Sequence, residues 1–141
     1  MPRNELRLDV RSAEAGELDD ILAEWSQRTG IAVEVWALPK EPLPRHVGET
    51  VHGTICDVLD EVERQARART VSVALTVAPS GLRLTVSDDG GGRSAEALRA
   101  HLGGRCGEFT DLGGVLTVNG VPGEGTTVSA AISRKALGRH S

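Results

Sequence analysis

The chain has 141 residues and a formal net charge of −4, enough for one domain that buries roughly two-thirds of its unfolded surface. Aromatic side chains are scarce (Trp25, Trp36 and Phe109, with no tyrosine), so the core must rest on Val, Leu, Ile and Ala, and the stacking side chains and basic groove of a single-strand nucleic-acid reader are missing. No apolar run is long enough to span a bilayer, and the start MPRNELRLDV lacks the apolar core of a secretory signal.

Taken in chain order, residues 6–10 (LRLDV) read as a short strand. Leu18, Ile21, Leu22 and Trp25 recur at helical spacing, with Ser12 as the cap at the start and Gly30 as the stop. IAVEVWA (31–37) alternates like a strand, and the proline-broken LPKEPLPR connects it to a helix that starts near Pro44. In that helix, over 46–67, Val47, Val51, Ile55, Val58, Leu59, Val62 and Ala66 form an apolar stripe. At about 100° per residue, Asp57, Glu61 and Arg64 gather in a narrow sector opposite that stripe. Ordinary charge spacing on a solvated helix face would produce the same pattern.

A hairpin follows: Val71, Val73, Leu75 and Val77 alternate, Pro79-Ser80-Gly81 turns the chain, and Leu82, Leu84 and Val86 alternate again up to Asp88. Residues 89–112 are rich in glycine and only weakly periodic. GGVLTVNG and GTTVSAAIS supply two more strands, joined by Val121-Pro122-Gly123-Glu124, and the tail RKALGRHS reads as frayed. This order predicts an α+β two-layer sandwich, with helices covering one face of a mixed, mostly antiparallel sheet.

Several familiar chemistries are absent. No lysine follows a glycine cluster as a P-loop requires, and the strands flanking the glycines form hairpins where a dinucleotide fold needs a strand–helix–strand unit. His46, His52, His101 and His140 lack metal-ligand spacing, and no G-x-S-x-G elbow is present. Cys56 and Cys106 have no second pair to complete a zinc site; they read as reduced thiols of a cytoplasmic protein, although the sequence is also compatible with a single disulfide. What remains is VSDDGGGRS at 86–94, where a strand ends on two carboxylates and three glycines. Such a run marks a flexible loop, or a backbone that must approach something closely.

Four stretches in order over about residues 12–133 resemble the GHKL ATPase family, and within it the ATP-binding domain of nitrate-sensor-type bacterial sensor histidine kinases, whose fold is a two-layer α/β sandwich. TGIAVEV with LPRHVGETVHGTICDVLDEVERQARA looks like its strand and N-box helix, and TVSVALTVAPSGLRLTVSDDGGG like its hairpin and D-x-G-x-G box. HLGG with DLGGVLTV looks like a second glycine box and the strand after it, and NGVPGEGTTVSAAI like the closing P-G-x-G-T strand pair. The resemblance implies ATP and Mg2+ as ligands. It makes Asp88 the acceptor for the adenine amino group, with Gly90 and Gly92 letting the backbone pass close to the nucleotide. It also implies Arg64, Gly103, Gly104 and Thr126 as further nucleotide contacts. The domain would then span 12–133, with 1–11 an N-terminal extension or edge strand and 134–141 a tail.

The N-box departs from the family pattern of Glu, Asn, a cation and His or an aromatic, and aligns as Asp57, Glu61, Arg64 and Gln65. Asp57 would serve as the catalytic carboxylate that orients or deprotonates the acceptor. Glu61 stands where an asparagine ligates Mg2+; a carboxylate is an acceptable ligand but adds negative charge beside a polyphosphate. Gly107 falls where the family has a regular helix, which predicts a short or frayed one. The implied partners are ATP, a histidine-bearing dimerisation domain or partner kinase, and a response regulator downstream, since the one helix expected before residue 45 holds no histidine. The alternatives are a degenerate pseudo-kinase interaction module and an anti-sigma-factor-like serine kinase.

Overall fold

The computed structural model describes residues 10–65, 68–90, 95–121 and 123–139, with the side chains of 10–17 and of Gln65 left undescribed. Helix α1 (Val10–Thr29) leads to strand β1 (Ala32–Ala37), helix α2 (Arg45–Gln65) and the hairpin of β2 (Thr70–Ala78) and β3 (Gly81–Asp88). Two short helices, α3 (Ala95–His101) and α4 (Gly103–Asp111), precede the second hairpin, β4 (Gly114–Val121) and β5 (Gly125–Ser133), and α5 (Arg134–Gly138) ends the order.

The five strands form one sheet in the order β1-β2-β3-β5-β4, with β1 and β2 parallel and the other neighbours antiparallel. The alternation read in the sequence becomes a two-faced sheet. Val71, Val73, Leu75, Leu82, Leu84, Val86, Val128, Ala130 and Ile132 are buried, and the residues between them, Ser72, Thr85, Ser129 and their neighbours, are more open. Val47, Val51, Ile55, Val58, Leu59 and Val62 of α2 are buried in the same core, joined by Leu18, Leu22 and Trp25 of α1. This is the α+β two-layer sandwich with helices on one face.

Gly30 ends α1 as expected: its φ of +79° is the left-handed conformation of a helix terminus, and its N–H donates to Ser26 O at 2.9 Å. The start of α1 differs from expectation. Val10 is already helical, so Ser12 lies inside α1 and is not its cap; nothing in VRSAEA, without Gly or Pro, interrupts a helix there. Residues 6–9 of the expected first strand lie outside the described residues.

Two further corrections fall in glycine-rich and terminal segments. Residues 95–111, read as weakly periodic with a short or frayed helix at Gly107, form two short helices, α3 and α4, and α4 runs unbroken through Gly107 for nine residues. Tertiary packing overrides glycine's poor propensity here, because Leu98, Leu102 and Phe109 are each fully buried. The tail expected to fray instead folds back as α5. Ser133 caps it by accepting a bond from Ala136 N at 3.2 Å, and Ala136 and Leu137 are buried. No disulfide joins Cys56 and Cys106. Among the described residues, no helix is long and apolar enough to cross a membrane.

Candidate functional site

Strand β3 delivers Asp88 to its last position on the core-facing side of the sheet, since Val86 and Leu84 precede it in the same alternation and are buried. In the ladder, Asp88 lies between Val71 of β2 and Thr126 of β5. Asp88 is 8% exposed and Thr126 2%. A carboxylate so placed needs a donor, and the N–H of Gly90 supplies one to Asp88 Oδ1 at 2.8 Å. Burial pushes the Asp88 carboxyl above its ordinary value, against the Gly90 bond that pulls it down and with a small push from the Asp89 charge.

The second carboxylate of the pair does different work. Asp89 Oδ1 accepts from Arg69 N at 2.7 Å and Thr70 N at 3.0 Å, and so ties the end of β3 to the entrance of β2. Desolvation pushes the Asp89 carboxyl up, but the N–H groups of Thr70 and Arg69 outweigh it and hold the group below its ordinary value. One aspartate is buried and held by the neutral Gly90 amide, while its neighbour is exposed and tethers the backbone.

Two glycines are required by close approach. A Cβ on Gly90 would lie 2.9 Å from Asp88 Oδ1, the very atom its N–H holds. Gly125 has a φ of +115°, and a Cβ there would collide with the backbone carbonyl of Asp88. Gly125→Ala therefore combines a strained backbone with a clash, and the expected cost is about 2–3 kcal/mol. A urea unfolding curve checks it; a change under about 0.5 kcal/mol, the range of a neutral surface substitution, contradicts the close approach. Gly92 lies outside the described residues.

Helix α2 supplies the other candidates along one stripe: Thr50, Thr54, Asp57, Glu61 and Arg64, at alternating spacings of four and three. Thr50 and Thr54 are buried, and Thr54 Oγ1 donates to Thr50 O at 2.7 Å. Glu61 is 3% exposed, which removes the solvated-face reading for that residue. Arg64 is largely exposed, with its Nε 3.8 Å from Glu61 Oε1. Asp57 meets a residue the sequence reading passed over: Arg105 of α4 donates from Nε to Asp57 Oδ2 at 2.8 Å and from Nη1 to Glu108 Oε1 at 2.9 Å. The Asp57 bond is the chief cause that raises the Arg105 guanidinium further above its ordinary value. Only the i,i+3 pair Arg105–Glu108 could have hinted at this, and it says nothing of Asp57.

Gly103 and Gly104, read as the second glycine box, are the first two residues of α4 and have open space where a Cβ would stand. None of Asp57, Glu61, Arg64 or Asp88 lines the cavity of about 440 Å³ bounded by Pro39, Lys40, Leu43, Val77, Arg134 and Leu137. None lines the cavity of about 280 Å³ between α1 and α2. Chemistry marks the site more clearly than concavity does. Among the described residues, no group of three or more His, Cys, Asp or Glu is placed to hold a metal. Mg2+ does not need one, since it takes one or two carboxylates together with phosphates and water.

No protein-family model matches the chain. Among curated proteins it is similar to sensor histidine kinase LiaS of Bacillus subtilis (strain 168), 27% identical over 118 residues that make up 82% of this chain and 32% of LiaS. The chain thus spans about a third of that relative's length. Among solved structures, it resembles the histidine kinase domain of the Erythrobacter litoralis EL346 blue-light activated histidine kinase, with a TM-score of 0.67, 20% identity and coverage of 89% of this chain and 65% of the other. It also resembles the Acinetobacter baumannii histidine kinase AdeS, with a TM-score of 0.64, 14% identity and coverage of 86% and 64%. The chain has the fold of histidine kinase ATPase domains, in keeping with the resemblance read from its motifs.

Proposed function

We propose that this chain binds Mg-ATP and acts as the phosphoryl-donating domain of a two-component sensor histidine kinase, with the acceptor histidine outside the chain. The likeness to histidine kinases supports a kinase-domain role. The observation that carries the nucleotide reading is the buried Asp88, fixed through one oxygen by the Gly90 amide and flanked by the buried Thr126.

In this reading the second oxygen of Asp88 accepts the adenine amino hydrogen, a charge-assisted bond worth about 1.5–3 kcal/mol. A base presenting a carbonyl there leaves the buried carboxylate without a donor, so the pocket selects adenine. Gly90 lets the backbone lie against the base. Arg64, largely exposed with its Nε 3.8 Å from Glu61, can turn its guanidinium toward phosphates. Gly103 and Gly104 offer backbone N–H groups at the start of α4. Glu61 would hold Mg2+, which when bound supplies neutralisation of polyphosphate charge. Asp57 would orient the acceptor imidazole or take its proton. What these residues contribute to phosphoryl transfer is positioning and charge stabilisation.

Glu61→Asn tests the metal position. A carboxylate 4–6 Å from a phosphate oxygen, at an effective dielectric near 20, is repelled by about 3–4 kcal/mol before any metal offsets it. Removing that charge should tighten Mg-ATP binding by about tenfold or more by calorimetry. Unchanged or weaker binding would place Glu61 outside the phosphate site.

The burial of Glu61 and the engagement of Asp57 by Arg105 favour a second reading, an interaction module that keeps the fold without the chemistry. Incubation with γ-labelled ATP and a dimeric helical hairpin bearing the acceptor histidine separates the two. Acid-labile, alkali-stable label on the hairpin supports phosphoryl transfer; no label, under conditions where ATP is bound, supports the module.

A further inference from the structure

We propose that Arg105 is a triphosphate-sensing latch, held by Asp57 until a terminal phosphate draws it away. This rests on the Mg-ATP reading and goes beyond it by giving α4 a state-dependent role. The contact is built on both sides. Arg105 Nε lies 2.8 Å from Asp57 Oδ2, and both side chains are about three-quarters sheltered from water. One helical turn before Asp57, α2 carries Gly53, and a Cβ there would run into the Arg105 guanidinium. The α2 surface is therefore shaped as a seat for that group: a carboxylate above and a missing side chain below. Glu108, on the same helix as Arg105, accepts from Nη1.

Two features make this seat a switch. Arg105 directly follows Gly103 and Gly104, so the guanidinium stands on the same first turn of α4 as the amides offered to phosphate. Its partner Asp57 is the carboxylate that the acceptor needs. While the latch is closed, Asp57 is occupied by a cation and poorly placed to accept a proton. A γ-phosphate, one phosphoryl group farther along the chain of phosphates than a diphosphate reaches, carries more charge than one carboxylate and matches the planar guanidinium fork equally well. The guanidinium then exchanges Asp57 for phosphate, and Asp57 becomes available only when a triphosphate is bound. A diphosphate lacks the competing group and leaves the latch closed. A ligand shifts such an equilibrium only through its different affinity for the two states, so the device must show itself as a difference between ATP and ADP.

The test is calorimetric titration of ATP and ADP, each with Mg2+, into the unaltered chain, Arg105→Gln, Arg105→Lys and Asp57→Asn. Arg105→Gln should weaken ATP by about tenfold or more while ADP changes less than about threefold, and Arg105→Lys should restore part of the loss. Asp57→Asn should act in the opposite direction, tightening ATP several-fold and leaving ADP unchanged, because the competitor for the guanidinium is gone. If both Arg105→Gln and Asp57→Asn shift ATP and ADP equally, Arg105 only braces α4, and the latch is overturned while nucleotide binding stands. If the unaltered chain binds neither nucleotide, the latch and the Mg-ATP reading fall together.

Discussion

Phe109→Ala is expected to destabilise the chain by about 3–5 kcal/mol, the range for removing a fully buried aromatic side chain from a packed core. Phe109 is the chain's single phenylalanine and is fully buried, on a helix of nine residues whose other side is mostly exposed. Its local sequence does little to hold α4: it has two glycines in its first turn, a third at Gly107, and no side-chain cap at its N-terminus. Intrinsic propensity therefore works against the helix, and burial of Phe109 together with the Arg105–Asp57 pair must offset that cost. A domain of this size should lose roughly 10–20 °C in Tm. Thr110→Ala, one position along on the exposed side, should stay within about 0.5 kcal/mol. A loss below about 1 kcal/mol at Phe109 would mean that α4 does not dock on the core through this ring.

Asp88→Asn is expected to weaken ATP by about 10- to 100-fold, the loss of one charge-assisted hydrogen bond. The asparagine carbonyl can still accept from Gly90, but its NH2 now faces another NH2 on the base. The same change should leave the fold intact or slightly firmer at neutral pH. Burial, the largest influence, raises the folded-state value of Asp88 above the unfolded one. A raised value means that the group's contribution to stability is fully present below the unfolded value and is lost as pH rises through the folded one. At neutral pH, Asp88 is thus a buried charge held for a purpose other than stability, and removing it relieves the fold. Its neighbour runs the other way. The lowered value of Asp89 gives stability that is present above the unfolded value and is lost as pH falls through the folded one. ATP affinity should fall on acidification at a higher pH than for an ordinary carboxylate, since the adenine contact needs Asp88 ionised. Loss of ATP binding together with a large drop in Tm would instead make Asp88 a structural residue.

Those two aspartates also show what a sequence can and cannot convey. The alternation of Val71, Val73 and Leu75 against Leu82, Leu84 and Val86 is strict, so the hairpin and the inward direction of Asp88 follow from period two alone. The apolar stripe of α2 is equally legible. The sector opposite that stripe is not, because a helical wheel shows direction and not what lies there. Glu61 is buried and Asp57 is engaged by Arg105 because α3 and α4 pack along that side, and those helices are the elements that glycine content conceals. Leu98, Leu102, Phe109 and Leu112 are widely spaced anchors, too sparse for a periodic signal but sufficient once the sheet is present. The same holds for α5, where a seryl cap and two buried apolar residues, Ala136 and Leu137, stand in for an amphipathic pattern. Gly125 was legible as part of a motif, but its reason, contact with the carbonyl of Asp88, depends on two strands meeting in register.

The central claim, an adenine-nucleotide site organised around Asp88, is tested most directly by calorimetric titration of ATP into the unaltered chain with and without Mg2+. Micromolar binding that Mg2+ strengthens, and that GTP does not reproduce, is the predicted result. No heat and no thermal shift up to millimolar ATP would contradict it, and would make the buried carboxylate of Asp88 part of an interaction module that keeps the kinase fold without its nucleotide.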